Sequence, residues 1–260
     1  MAVGEAFLEL VEIMARLRRE CPWDRRQTHR SLEPYVIEEA YEVVDAVEAG
    51  DFEELKKELG DLLLQVVFHA ELAREEGRFG IEDVLVAICE KLRRRHPHVF
   101  GDVTVSGAEE VLRNWARIKA EERAERGADS VFAGVPRALP ALLRAHRLGE
   151  KAARVGFDWR DADAVWEKVR EEVAEVDRAR SEGGRDRVER EVGDLLFALA
   201  SFCRHLDLDA EGALRRALDR FERRFARMEE LLRQRGRRVE EASPEELDAA
   251  WEEAKRHVPS

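Results

Sequence analysis

The sequence has only 3 cysteines, 7 prolines and 5 tryptophans in 260 residues, and aromatic residues make up 7% of it. Cys21, Cys89 and Cys203 are widely spaced and odd in number, which argues against a disulfide framework and for a reducing compartment. Long apolar runs are missing too: residues 62–68 and 195–202 fall far short of the roughly 20 residues that a membrane span needs. The first residues carry no basic stretch leading into an apolar one, so no signal peptide is expected, and the reading is a soluble cytoplasmic protein without a membrane partner. A basic excess is also lacking. Lys+Arg is 45 against Asp+Glu 57, a formal charge of −12, which disfavours binding to the phosphate backbone of nucleic acid. With 44% hydrophobic residues the chain is too apolar to be wholly disordered.

What is abundant is Glu, Arg, Leu and Ala, the composition that helices favour. Apolar residues recur at three- and four-residue spacing in Phe7, Leu8, Leu10, Val11, Met14 and Leu17. The same period runs through residues 36–47, 55–72, 84–92, 165–176, 192–206 and 214–232. Val103-Thr104-Val105, the one short alternating stretch, reads as a loop. An all-α protein with short turns follows. Residues 127–140, with Gly127, Gly134, Pro136 and Pro140, lack helical period and form the candidate linker.

Internal similarity then gives the architecture. Glu38-Glu39-x-x-Glu42 recurs as Glu171-Glu172-x-x-Glu175, from 38 to 171, an offset of 133. Glu58-x-x-Asp61 recurs as Glu191-x-x-Asp194 at the same offset, and Val36, Val43 and Ala46 match Val169, Val176 and Ala179. Trp115-x-x-x-Lys119 is echoed by Trp251-x-x-x-Lys255, and the basic segment Lys91, Arg93, Arg94, Arg95 by Arg220, Arg223, Arg224. The chain reads as a tandem duplication, with units at residues 1–130 and 131–260, the second expected to be the catalytic one.

Within a unit, Glu39 and Glu42 are three apart on one helix face, as are Glu58 and Asp61 on the next helix. Gly50 suits a left-handed helix end, and Asp51 an N-cap with Glu54 completing a capping box. Glu42 lies 8 residues before Gly50 and Glu58 lies 7 after Asp51, so at about 1.5 Å per residue both pairs sit at one height on antiparallel helices. Four carboxylates then converge, and the repulsion requires a counter-charge. Oxygen ligands select Mg²⁺, with Mn²⁺ as a substitute. None of the seven histidines has a Glu three residues before it, no phosphate-binding Gly-x-x-x-x-Gly-Lys loop is present, and the cysteines are unpaired. That removes the ferritin-like, P-loop and zinc alternatives.

These residues resemble the MazG family of nucleoside triphosphate pyrophosphohydrolases, whose signature is Glu-Glu-x-x-Glu followed on the next helix by Glu-x-x-Asp. Cys21-Pro22-Trp23-Asp24, residues 95–100 and residues 155–159 are similar to its two-domain bacterial members. The resemblance implies an all-α tandem of MazG-like helical units, a homodimer, and cleavage of NTP or dNTP to NMP and pyrophosphate. It also implies Mg²⁺ on Glu172, Glu175, Glu191 and Asp194, with nucleotide contacts at Lys168, Glu171, Glu172, Arg220, Arg223, Arg224, Trp251 and Lys255. Glu171 is the candidate for orienting or deprotonating the water that attacks the α-phosphorus. A second site at Glu39, Glu42, Glu58 and Asp61 stays open, although Tyr35 stands where the second unit has Lys168. The competing readings are a non-catalytic nucleotide-binding scaffold and a polymer-cleaving phosphodiesterase, the second disfavoured by the charge of −12.

Overall fold

The structure, a computed structural model, describes residues 2–125 and 130–259, with backbone alone at 112, 113, 116, 119–121 and 123–125. Among these residues every regular element is a helix. The chain divides into two units, Met1–Glu121 and Glu122–Ser260. Of the proposed linker, residues 130–140 are turns and 127–129 lie outside the described residues, as does the side chain of Lys119.

The first unit holds α1 (Val3–Glu20), α2 (His29–Ala49), α3 (Phe52–Glu75), α4 (Ile81–Arg95), the single turn α5 (Pro97–Phe100) and most of α6 (Ala108–Glu125), whose last residues belong to the second. The start of α2 is fixed by Thr28, whose hydroxyl accepts the Ser31 amide at 3.2 Å while the Ser31 hydroxyl accepts the Thr28 amide at 2.9 Å. Its end is Gly50 at φ 68°, a backbone state that glycine adopts without strain. Asp51 then caps α3 by accepting the amides of Glu53 and Glu54, each at 3.0 Å. The expected capping box is only half formed: Glu54 turns its carboxylate to Lys57 one helical turn on, away from the cap.

The second unit contains α7 (Ala141–Ala153), α8 (Ala162–Glu182), α9 (Arg185–His205), α10 (Ala210–Gln234) and α11 (Pro244–His257). The bounds of α2 and α8 differ by 133 at both ends, 29 to 162 and 49 to 182, so the duplication extends to helix boundaries. Asp161 caps α8 through the Ala164 amide at 2.9 Å. Gly183 and Gly184, at φ 81° and 107°, make the turn that Gly50 and Asp51 make in the first unit, and α9 begins without a side-chain cap.

Each unit is built around one antiparallel hairpin, α2 on α3 and α8 on α9, with α1 laid against α3 and α7 against α9. In the first unit Met14, Leu32, Val67 and Phe68 are buried together, supported by Phe7, Leu10, Val11 and Leu64. Fully burying side chains of this size stabilises by about 1.5–3 kcal/mol each. In the second unit Met228, Leu231, Leu232, Ala250 and Ala254 fasten α11 to α10. The repeat-matched pair Ala46 and Ala179 are 5% and 0% exposed, small residues where two helices approach near their turn. Periodicity in the sequence did not mark α6, α7 and α11.

Candidate active site

In the second unit, α8 and α9 bring one carboxylate oxygen each from Glu172, Glu175 and Glu191 within 4.8 Å of one another. An octahedral ion with ligands at about 2.1 Å spaces them up to roughly 4.2 Å, so this gathering needs only small side-chain shifts to close on one cation. The fourth expected ligand, Asp194, is exposed and is not part of that triple. Glu172 is the anchor, 5% exposed on a helix otherwise edged by solvent. One of its oxygens, Oε1, meets Lys168 Nζ at 2.8 Å, while Oε2 is buried with no hydrogen-bond partner. An unpartnered buried carboxylate oxygen is costly, and a divalent cation would satisfy it. The all-oxygen donor set fits Mg²⁺ or Mn²⁺.

Lys168 also donates to Glu171 Oε1 at 2.9 Å. The three residues lie at i, i+3 and i+4 on α8, so one ammonium bridges two carboxylates. These bonds, Glu172 first, hold the Lys168 ammonium well above the ordinary lysine range. Lys168 is therefore a partner of the carboxylates themselves, a role that its expected assignment as a phosphate contact did not include.

The first unit gathers Glu39, Glu58 and Asp61 within the same 4.8 Å. Glu42 is the outlying member here, although it interacts with both Glu39 and Glu58. No lysine bridges this set among the described residues. Lost hydration and the neighbouring Glu42 charge push Glu58 up to about 7, and burial followed by Asp61 and Glu42 raises Glu39. Tyr35 makes an edge contact with Trp23, ring centroids 6.1 Å apart.

The other expected nucleotide contacts sit on α10 and α11. Trp251 is half-buried, packed on Phe221 at 5.3 Å and against the α10–α11 core, so at least part of its surface serves helix packing. Arg224 donates to the Val258 carbonyl at 2.9 Å, Lys255 pairs with Glu252, and Arg220 lies 3.5 Å from the Arg216 carbonyl. Arg223 is exposed. The described contacts link none of these side chains to the carboxylate triple.

Two guanidinium clamps escaped sequence reasoning, because each joins residues far apart in the chain. Arg18 pairs with Glu75 at 2.6 Å and donates to the Asp24 and Gln27 carbonyls, tying the Cys21–Asp24 segment to α3 ahead of α2. In the second unit Arg204 and His205 both hold Asp158, with Arg204 Nη1 at 3.0 Å and His205 Nε2 at 3.0 Å, ahead of α8. Burial works to raise Asp158, but the bonds from Arg204 and His205 outweigh it and hold the carboxyl below the usual range. Gly149 makes room for this clamp: a Cβ there would lie 2.9 Å from Arg204 Nε.

Comparison with known proteins bears on the whole chain. A nucleoside triphosphate pyrophosphohydrolase of Escherichia coli K12 is 45% identical over 252 residues, covering 95% of this chain and 96% of its own. A nucleoside triphosphate pyrophosphohydrolase/pyrophosphatase MazG of Thermotoga maritima is 46% identical over 97% of this chain and 96% of its own. A crystal structure of a mazG-related protein from Thermotoga maritima aligns with 43% of this chain and 97% of its own, at 28% identity and a TM-score of 0.39. The model of the MazG nucleotide pyrophosphohydrolase domain matches residues 27–100 and 161–227, the two segments that carry the carboxylate motifs. The chain therefore belongs to the MazG family of nucleotide pyrophosphohydrolases.

Proposed function

We propose that this protein is a Mg²⁺-dependent nucleoside triphosphate pyrophosphohydrolase that cleaves NTPs and dNTPs between the α and β phosphates, with the second unit carrying the reaction. The observation that carries this reading is the triple of Glu172, Glu175 and Glu191 beside Lys168, one of its oxygens buried and unpartnered. It occurs in a chain aligned almost end to end with proteins named for that activity.

In this reading Glu172, Glu175 and Glu191 hold the divalent ion, with Asp194 at the open side of the set. The ion, Mg²⁺ or Mn²⁺, supplies charge that offsets the triphosphate. Glu171, exposed on α8 beside the triple, orients a water and takes its proton as the oxygen attacks the α-phosphorus. The α–β anhydride bond breaks, pyrophosphate leaves, and NMP remains. Lys168, Arg220, Arg223, Arg224 and Lys255 offset the remaining phosphate charge, and the partly exposed Trp251 ring stacks on the base. Contacts of this kind address the triphosphate more than the base, so the site accepts several nucleotides. The reading includes a cytoplasmic setting, supported by three free cysteines, and a homodimer.

The test is product analysis over a panel of NTPs and dNTPs. Pyrophosphate and NMP should appear with Mg²⁺ and not with EDTA. Glu175→Ala should lower turnover about 100-fold or more, as loss of several kcal/mol of charge stabilisation requires. Glu42→Ala should lower it far less. Equal losses in the two variants would defeat the assignment of the reaction to the second unit, and nucleotide binding without pyrophosphate release would identify a scaffold.

A further inference from the structure

The bridge between Lys168 and Glu172 has a consequence for the order of events at the site. Glu172 is the most buried member of the triple, and one of its two oxygens is taken by an ammonium at 2.8 Å. The same ammonium holds Glu171 at 2.9 Å. A cation approaching Glu172 meets a carboxylate whose charge is already half-used, with a positive group beside it. At this range like charges repel strongly, because the surrounding protein screens them less than water does. A triphosphate reverses the balance, since its oxygens offer Lys168 a second anionic partner on a flexible four-carbon stem. The first unit supplies the contrast, with Tyr35 in the register of Lys168 and, among the described residues, no lysine bridging Glu39, Glu58 and Asp61.

We infer that Lys168 couples metal loading to nucleotide binding: bridging Glu171 and Glu172, it weakens cation binding to the nucleotide-free site and gives up that bridge to the phosphates of the incoming nucleotide. This rests on the metal site of the proposed function. It assigns Lys168 a regulatory position in the site beyond that of a phosphate contact. Metal and nucleotide are then positively linked, each making room for the other.

The test uses the full-length chain carrying Glu58→Gln, so that Mn²⁺ is read at the second unit. Two constants are measured by calorimetry: Mn²⁺ without nucleotide, and α,β-methylene-ATP in EDTA. Lys168→Met should tighten Mn²⁺ about tenfold or more, the equivalent of one charge-assisted hydrogen bond. The same variant should weaken the nucleotide about tenfold. Opposite shifts are the signature, because damage to the fold weakens both. Lys168→Gln, checked by thermal melting, repeats the measurement if the Met variant misfolds. Unchanged or weaker Mn²⁺ binding in both variants overturns the coupling and leaves the metal site standing. Undiminished Mn²⁺ binding in Glu172→Gln overturns the site, and the coupling with it.

Discussion

The two carboxylate sets look alike as strings, and the differences between them lie in single residues. Lys168 bridges Glu171 and Glu172, whereas the first unit has Tyr35 beside Trp23 and leaves Glu58 pushed up to about 7. Glu171 is exposed and tied only to Lys168 on its own helix, which suits a group that must meet water rather than metal. Replacing it with Gln keeps the size and the donor-acceptor reach but removes the proposed base. Glu171→Gln should therefore lower kcat about 100-fold, within the usual range for a general base, while calorimetry finds nucleotide affinity in Mg²⁺ within about twofold of the wild type. A collapse of nucleotide binding instead would make Glu171 a ligand. At this scale the sequence was legible where chemistry is local: motif spacing on two successive helices selects Glu172 and Glu175 on α8 and Glu191 on α9. It was blind to side-chain choice. Spacing alone does not distinguish Lys168 reaching for a phosphate from Lys168 reaching back one turn to Glu172, nor a Trp251 stacking on a base from one packed on Phe221.

Between elements, the helix that carries Glu171, Glu172 and Glu175 follows a clamped loop. Asp158 stands three residues before the Asp161 cap of α8 and is held by Arg204 and His205 from the end of α9. This clamp has a defined pH signature. The carboxyl lies lower in the folded chain than its unfolded value of about 3.9, so its stabilisation is fully present above about pH 4 and is lost as pH falls through the folded value. Asp158→Asn should destabilise the protein by about 1–2 kcal/mol at pH 7, since side-chain exposure of 24% moderates the loss of charged hydrogen bonds. As pH falls below about 4 the gap between variant and wild type should narrow in urea melts. A difference that persists undiminished at pH 3 would mean that the carboxylate charge is not the source. Neither clamp was legible beforehand, because Arg18 to Glu75 spans 57 residues and Arg204 to Asp158 spans 46. Periodicity reports which face of a helix is apolar and says nothing about which distant arginine closes a loop. The short α7 and α11 were missed for a related reason. The buried positions of α11 are Ala250 and Ala254, residues too small to raise an apolar signal, and α7 buries no residue fully.

For the whole molecule, the duplication repeats an apolar stripe in each unit. On α3 the residues Leu59, Leu63 and Val66 are 49%, 39% and 43% exposed, and on α9 their matches Val192, Leu196 and Leu199 are 38%, 50% and 36% exposed. The spacing i, i+4, i+7 puts each trio on one helix face, at the same offset of 133, from 59 to 192. On α10 Leu214, Leu218 and Phe221 repeat the pattern at 49%, 54% and 53%. Aligned apolar stripes of this kind mark interaction faces on otherwise charged helices. In a chain of net charge −12 such faces are the places where two copies associate without like-charge repulsion. The proposed homodimer covers them with a second copy, and the closed symmetry of a dimer uses the same stripe twice. Light scattering behind a sizing column should then give twice the 29.9 kDa chain mass. Leu196→Glu, placing a charge in the middle of the α9 stripe, should shift the protein toward monomer and lower its midpoint of thermal unfolding by several degrees, as loss of a stabilising partner requires. A monomeric wild type at micromolar concentration would overturn the dimer. A dimer unmoved by Leu196→Glu would place the interface away from this stripe.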